Sequence, residues 1–321
     1  MRVHLLCPGD PTQRTGGYLY DARLVQGLRD RGHEVLVHPD LPEALPDGVV
    51  LADGLLWTAL GERGARLAAE RPVAVLLHSP LWREAGPHAR IPEEQALRRA
   101  ALVIATSART AADLDVASVI VEPGTDPAPP ARGSGTGRLL CVATVTPRKG
   151  HDVLLEAVRR LRVPHELRCA GSLERDTGWV AGLPEVPGVR WLGELDGPAL
   201  ARELDAADVV VHAARYEGWG MALAEALVRG LPVVSTPAGL FDGRDPGCRL
   251  EVPPDDPGAL ASALERVLGS PELRATLRER ALGVPLPTWP EQVAAIEALL
   301  RGCDGSGTRR TGRSPGPPAR R

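Results

Sequence analysis

The stretch Asp208-Val209-Val210-Val211-His212-Ala213-Ala214-Arg215-Tyr216-Glu217-Gly218-Trp219-Gly220-Met221-Ala222-Leu223-Ala224-Glu225-Ala226-Leu227 changes character halfway along. Asp208–His212 is a short apolar run, the pattern of a strand covered on both faces. After it the chain opens a helix that ends near Gly230. Gly218 and Gly220 stand between the two, where they let the backbone approach a ligand closely. The unpaired amides of a first helical turn favour an anion at the same place. Glu217 precedes the helix, and Glu225 lies about one turn into it. Two glutamates eight residues apart, taken alone, read as a solvated face. The Gly-x-Gly loop between strand and helix makes them candidate site residues.

The same alternation runs outward in both directions. Towards the N-terminus, strand-like runs occur at Val3–Cys7, Val35–His38, Val49–Ala52, Val73–Leu77, Leu102–Ala105 and Val119–Val121. A helical pattern through Tyr20, Leu24 and Leu28 ends at Gly32, and another lies near Leu55–Ala69. Residues 124–137 are rich in Pro, Gly and Ala and read as a linker. The alternation restarts with Leu139–Ala143, Leu167–Ala170 and Val189–Leu192 and continues through Val209–His212 and Val233–Ser235. An amphipathic helix over Asp152–Leu161 follows the first of these. Continuous apolar strands separated by helices predict parallel sheets with both faces covered. The expected architecture is α/β, with two Rossmann-like doubly wound domains (1–123 and 138–285) facing across a cleft where ligands bind. A last helix is expected over 286–302, and a disordered tail over 303–321.

Composition narrows the function. Lys149 is the sole lysine among 38 Lys and Arg residues. In a chain that writes Arg for every other cation, a compact, rotatable ammonium marks a phosphate ligand. It sits in Thr144-Val145-Thr146-Pro147-Arg148-Lys149-Gly150, on a strand-to-helix loop. The net charge of −3 gives no field that would draw the protein to nucleic acid or anionic lipid. Five scattered cysteines without CxxC spacing point to a reducing cytoplasm. The N-terminal apolar run is too short for a signal peptide, and none approaches the ~20 residues of a membrane helix. With no Cys/His cluster and no HExxH, no metal site is expected. Asp21 and Arg23, on the first helix, read as a solvated face.

The chain resembles the retaining family 4 glycosyltransferases of the GT-B fold. The resemblance rests on the element Glu217 to Glu225 with Gly218, Gly220 and Leu227–Val234, on the Gly16-Gly17 loop and on the Lys149-Gly150 pair. The closing Thr288-Trp289 helix is similar to the one that crosses back onto the N-terminal domain in such enzymes. What the resemblance implies is a nucleotide-diphosphate sugar as donor and a first domain that holds the acceptor. Lys149 would clasp the diphosphate, helped by amides at Gly220, Met221 and Ala222, with Gly218 in the same loop. Glu225 would accept hydrogen bonds from the ribose, and Glu217 would hold the transferred sugar. His78, after Val73–Leu77, matches the family's histidine beside that sugar. Gly16 and Gly17 would form the loop where acceptor and phosphate meet. No cofactor or metal is implied.

One departure stands out. The family's Gly-Arg ahead of the lysine is replaced here by Ala143-Thr144. Arg148 is expected to supply the absent charge, or Thr144 a neutral hydrogen bond. Alternatives therefore stay open beside a retaining hexosyltransferase with a small soluble acceptor. They are a GT-B nucleotide-sugar epimerase or phosphorylase, a non-catalytic nucleotide-sugar-binding subunit, and transfer to a lipid acceptor. Without the family context, His78 reads as a strand-end histidine, Gly16-Gly17 as a turn, and Glu217 as a helix cap. Nucleotide, sugar, acceptor and oligomeric state are not fixed by the sequence.

Overall fold

A computed structural model describes residues 1–9, 15–245 and 247–303. Twelve strands form among them: β1 (Arg2–Leu6), β2 (Glu34–His38), β3 (Val49–Asp53), β4 (Val73–Leu77), β5 (Leu102–Ala105), β6 (Val119–Ile120), β7 (Arg138–Val142), β8 (Glu166–Ala170), β9 (Val189–Gly193), β10 (Val209–His212), β11 (Val233–Ser235) and β12 (Arg249–Glu251). They make two six-stranded sheets, ordered β2-β1-β3-β4-β5-β6 and β12-β11-β10-β7-β8-β9. Every pairing is parallel. β3 and β4 are buried along their whole lengths, which is why their sequences are apolar without alternation.

Strand order reverses beside β1 in the first sheet and beside β7 in the second. At such a switch point the flanking loops part and leave a crevice at the carboxyl ends of the strands. The ends of β1, β3 and β4 on one side, and of β7 and β10 on the other, line a cleft of about 610 Å³. Residues 121–134 between the sheets contain no helix or strand.

Some expectations shift. The helix foreseen near Leu55–Ala69 is two helices, Gly54–Leu60 and Glu62–Glu70. Gly61 separates them with φ 51°, a left-handed turn that a helix cannot pass through. β12 was not foreseen: Arg249-Leu250-Glu251 is an edge strand with charge at both ends and one apolar residue, too short for a periodicity. Helix Trp289–Cys303 runs one residue into the segment expected to be disordered, while 304–321 lie outside the described residues.

Helix Trp289–Cys303 adds Val293, Ile296 and Leu300 to the core formed by β1 and helix Gly16–Asp30. Each such burial is worth about 1.5–3 kcal/mol. Contact is close enough that a Cβ on Gly27 would fall 2.6 Å from Val293 Cγ2. Glu297 fixes the register. Its carboxylate accepts from Arg31 Nε at 2.5 Å and Arg301 Nη2 at 2.6 Å, and lies 2.7 Å from His33 Nε2. Those bonds, from Arg31 above all, hold its carboxyl at about 2, below the ordinary value of 4.5. A depressed acid stabilises the fold above its unfolded pKa and ceases to as pH falls towards the folded one. Glu297→Ala is expected to lower the thermal midpoint by a few degrees at pH 7. The deficit should shrink as pH drops from about 4.5 to 2, as a calorimetric pH series on both proteins would measure.

Candidate active site

The second domain's wall is built from two loops. After β7 the chain turns through Pro147–Lys149 into Gly150, at φ 67°, and then into helix His151–Arg159. A Cβ at Gly150 would strike the carbonyl of Ala213, so β10's exit loop packs directly on this turn. Arg215 ties the two together, its amide bonded to Arg148 O at 2.8 Å and its guanidinium to Asp152 at 2.7 Å. The lysine loop and the glutamate loop are one rigid unit.

That unit brings Lys149 and Glu217 into contact. Lys149 Nζ donates to Glu217 Oε2 at 2.5 Å, and His212 Nε2 lies 2.7 Å from the same oxygen. Both side chains of the ion pair are mostly buried, at 15% and 13% exposure. Burial alone would raise the Glu217 carboxyl. Lys149 and His212 outweigh it and hold the group well below the ordinary carboxylate range. Burial lowers the Lys149 ammonium, and Glu217 offsets only part of that. A charged group held this way, in a cleft and beside a helix start, is a candidate for chemistry rather than for stability.

Helix Met221–Val228 starts at Gly220, whose φ of 109° bars a side chain. Its hydrogen bonding begins at Leu223 N, bonded to Gly220 O at 3.0 Å. Glu225 projects from the second turn of this start and lines the cleft, and burial raises its carboxyl. Gly218 has a second reason to be glycine. Its carbonyl accepts from Ser107 Oγ of the first domain at 2.6 Å, and a Cβ would lie 3.0 Å from both His78 O and Thr110 Oγ1. The two domains meet at that peptide.

On the first domain's wall, Gly17 lies under the His78 ring, where a Cβ would come within 3.1 Å of Cδ2. A Cβ on Gly16 would lie 3.8 Å from Met221 Sδ, across the cleft. His78 Nε2 is 3.0 Å from Asp21 Oδ1 and 3.6 Å from Asp53 Oδ2. Asp21 is therefore not a solvated residue of the first helix: it is 4% exposed and also accepts from Cys7 Sγ at 3.1 Å. Arg23 does lie at the surface, paired with Asp126. Burial lowers the His78 imidazole, but Asp21 and then Asp53 overcome it, leaving the ring above its ordinary 6.5. Tyr20 meets His78 edge-on at 5.1 Å, and Trp289 meets Tyr20 at 5.3 Å. Asp21, Asp53 and His78 are also the one set of three or more His, Cys or carboxylate ligand atoms, among the described residues, that clusters within 4.8 Å. No motif spacing foretold them as metal ligands, because they come from three separate elements.

His78, Lys149, Glu217, Gly16 and Gly17 thus line one cleft, as do Thr144, Arg148, Gly218, Gly220, Met221, Ala222 and Glu225. Arg148 is engaged elsewhere in part: it pairs with Glu84 of the first domain at 2.7 Å and donates to Tyr216 O at 3.0 Å. Asp21, Asp53 and His212 escaped the sequence reading. A carboxylate or imidazole at the end of a fully apolar strand was the available signal for Asp53 and His212. Asp21 had none, since helical spacing gave it no more weight than Arg23.

Residues 136–270 match the family model described as glycosyl transferases group 1. The chain is 34% identical over 155 residues to an MMP alpha-(1->4)-mannosyltransferase of Mycolicibacterium hassiacum, covering 45% of this chain and 38% of that protein. It is 32% identical over 238 residues to a D-inositol 3-phosphate glycosyltransferase of Salinispora arenicola, covering 61% and 53%. The matches therefore span about half or less of those relatives. Among solved structures, sucrose-phosphate synthase from Thermosynechococcus elongatus superposes with a TM-score of 0.76 at 20% identity, covering 94% of this chain and 98% of that one. Anabaena HepE, in complex with UDP and glucose, gives 0.78 at 18% identity, covering 94% and 99%. The fold is GT-B.

The carboxylates around His78 make a direct prediction. Asp21→Asn removes the larger opposing charge and leaves the burial, so the ring should titrate lower than in the parent protein. Imidazole resonances followed by NMR across pH 5 to 9 would check this; an unchanged midpoint would break the assignment of Asp21 as the cause.

Proposed function

We infer that the protein is a glycosyltransferase that moves a sugar from a nucleotide-diphosphate sugar to a small acceptor with retention of anomeric configuration. The observation that carries this reading is the buried Lys149–Glu217 pair, set beside the start of helix Met221–Val228 inside the segment that matches group 1 glycosyltransferases. An ammonium and open helical amides face the same space, the arrangement that suits a departing diphosphate. HepE, in complex with UDP and glucose, supports a nucleotide sugar as the co-substrate.

In the reaction the anomeric C–O bond to the donor's phosphate breaks, and the phosphate oxygen leaves with the electron pair. The acceptor oxygen bonds to the anomeric carbon on the same face, and its proton passes to the departing phosphate. Lys149 and the amides at Gly220, Met221 and Ala222 stabilise the charge that grows on the leaving group. Thr144 supplies a neutral hydrogen bond there, and Arg148 a neighbouring positive charge. Glu217 has one oxygen taken by Lys149 and His212, and its second is left for hydroxyls of the transferred sugar. Glu225 receives the ribose, and His78 stands beside the sugar above the Gly16-Gly17 loop. Such positioning in a cleft that excludes water is worth far more than the same groups in solvent.

A cytoplasmic setting is part of the proposal, supported by five unpaired cysteines. No helix among the described residues is long and apolar enough to cross a membrane. One observation favours a second reading: with Ala143-Thr144 in place of Gly-Arg and Arg148 drawn to Glu84, the chain could bind the donor without turning it over. Thermal shift against UDP-, GDP- and dTDP-sugars should find one that raises the midpoint, because a ligand of the folded state alone stabilises it. NMR of the product formed from that donor should then show the donor's own anomeric configuration. Donor binding with no transfer across a broad acceptor set would favour the binding subunit.

Lys149→Ala should reduce kcat/KM about 10²–10³-fold, the loss typical of one removed transition-state donor. Circular dichroism should stay native. Turnover close to that of the parent protein would exclude the role given to this ammonium.

A further inference from the structure

The acceptor side of the cleft carries a charge pattern that transfer itself does not require. Its floor is formed by the ends of β1, β3 and β4, where Asp21, Asp53 and His78 meet. Asp21 is fully engaged, with one oxygen 3.0 Å from His78 and the other accepting from Cys7. Asp53 is engaged on one side only. Its Oδ1 caps helix Gly54–Leu60, accepting from Leu55 N at 2.8 Å and Leu56 N at 3.3 Å. Its Oδ2 comes no nearer than 3.6 Å to His78 Nε2, and among the described residues it accepts no hydrogen bond. The residue is only 8% exposed, yet it lines the cleft.

Among the described residues, the other charges on this wall are already paired. Arg23 is bound to Asp126, and Glu84 reaches over to Arg148. Arg175 lines the opposite wall, and its charge acts on Tyr18. Among the described residues, the first domain's face therefore presents one charge with an open coordination side, and that charge is a carboxylate. Burial raises Asp53 to about 6; His78 opposes the rise and Asp21 adds to it. A buried carboxylate oxygen that accepts no hydrogen bond lacks the partner that makes its burial tolerable.

We propose that Asp53 Oδ2 receives an ammonium group of the acceptor, which is an amine-bearing polyol rather than a phosphorylated one. This assignment rests on the transferase reading above. An ammonium offers three donors, so it can bond Oδ2 and still reach backbone carbonyls nearby. It also supplies the charge that makes burial of a carboxylate tolerable. A hydroxyl in its place fills the hydrogen bond without the charge. A phosphate brings a second negative group against Asp53 and Asp21, and like charges in a low-dielectric cleft repel strongly.

Three probes with one pyranose frame separate these cases: glucosamine, glucose and glucose 6-phosphate. Each is offered as acceptor at pH 7, with the nucleotide sugar that most raises the melting midpoint, and product is measured by mass spectrometry. Glucosamine should be used with a kcat/KM at least ten-fold above glucose, about 1.4 kcal/mol, and glucose 6-phosphate should be poorer than both. Asp53→Asn keeps the helix cap, since Asn caps as well as Asp, and removes only the charge. In that variant the KM for glucosamine should rise towards that for glucose while the donor KM holds. Preference for glucose 6-phosphate, donor turnover without preference for the amine, or a preference that survives Asp53→Asn would overturn the assignment. If no nucleotide sugar binds at all, the transferase reading falls, and the acceptor assignment with it.

Discussion

The Glu217 carboxylate, held by Lys149 and His212, is the contact on which the rest of the site depends. It joins the exit of β7 to the exit of β10, two strands that neighbour each other in the sheet but lie far apart in the chain. A carboxylate at that depth is tolerable only with a cation against it. The sole lysine of the chain serves as that cation, where a planar guanidinium would need more room and a bidentate partner. Gly150 brings the two loops close enough for the bond to form, at a backbone angle and a contact with Ala213 that exclude a side chain.

Charge on the two walls is arranged differently. The second domain offers a cation and helical amides, while the first offers carboxylates around one imidazole. A reaction that expels a negatively charged group from one side and admits an acceptor from the other uses that asymmetry. It also orders the site in space, since an anion is drawn to the far wall and kept from the near one. At Gly218, one of the places where the walls touch, no side chain can wedge them apart.

Much of this was legible in the residues. Unbroken apolar runs of strand length such as Val73–Leu77 read as strands buried on both faces, and their regular separation by helices predicts parallel order. Lys149 stood out because composition made it rare, and Glu217 and Glu225 because glycines framed them. The edge strand Arg249–Glu251 and the break at Gly61 were not legible, for both depend on packing more than on local pattern. Asp21 was hidden for a related reason: a carboxylate on an amphipathic helix looks solvated until the sheet it packs against contributes a histidine. Sequence periodicity says which face of a helix is apolar and is silent on a polar residue buried beside a polar partner.

The aromatic succession from Trp289 through Tyr20 to His78 links the far end of the chain to the floor of the cleft. Trp289 begins the final helix, and Gly124 leaves room for its backbone to pass. The imidazole is thus backed, through Tyr20, by a helix that comes after both glutamates in the chain. A nascent polypeptide emerging from the ribosome would carry the lysine and both glutamates well before that ring acquired its backing.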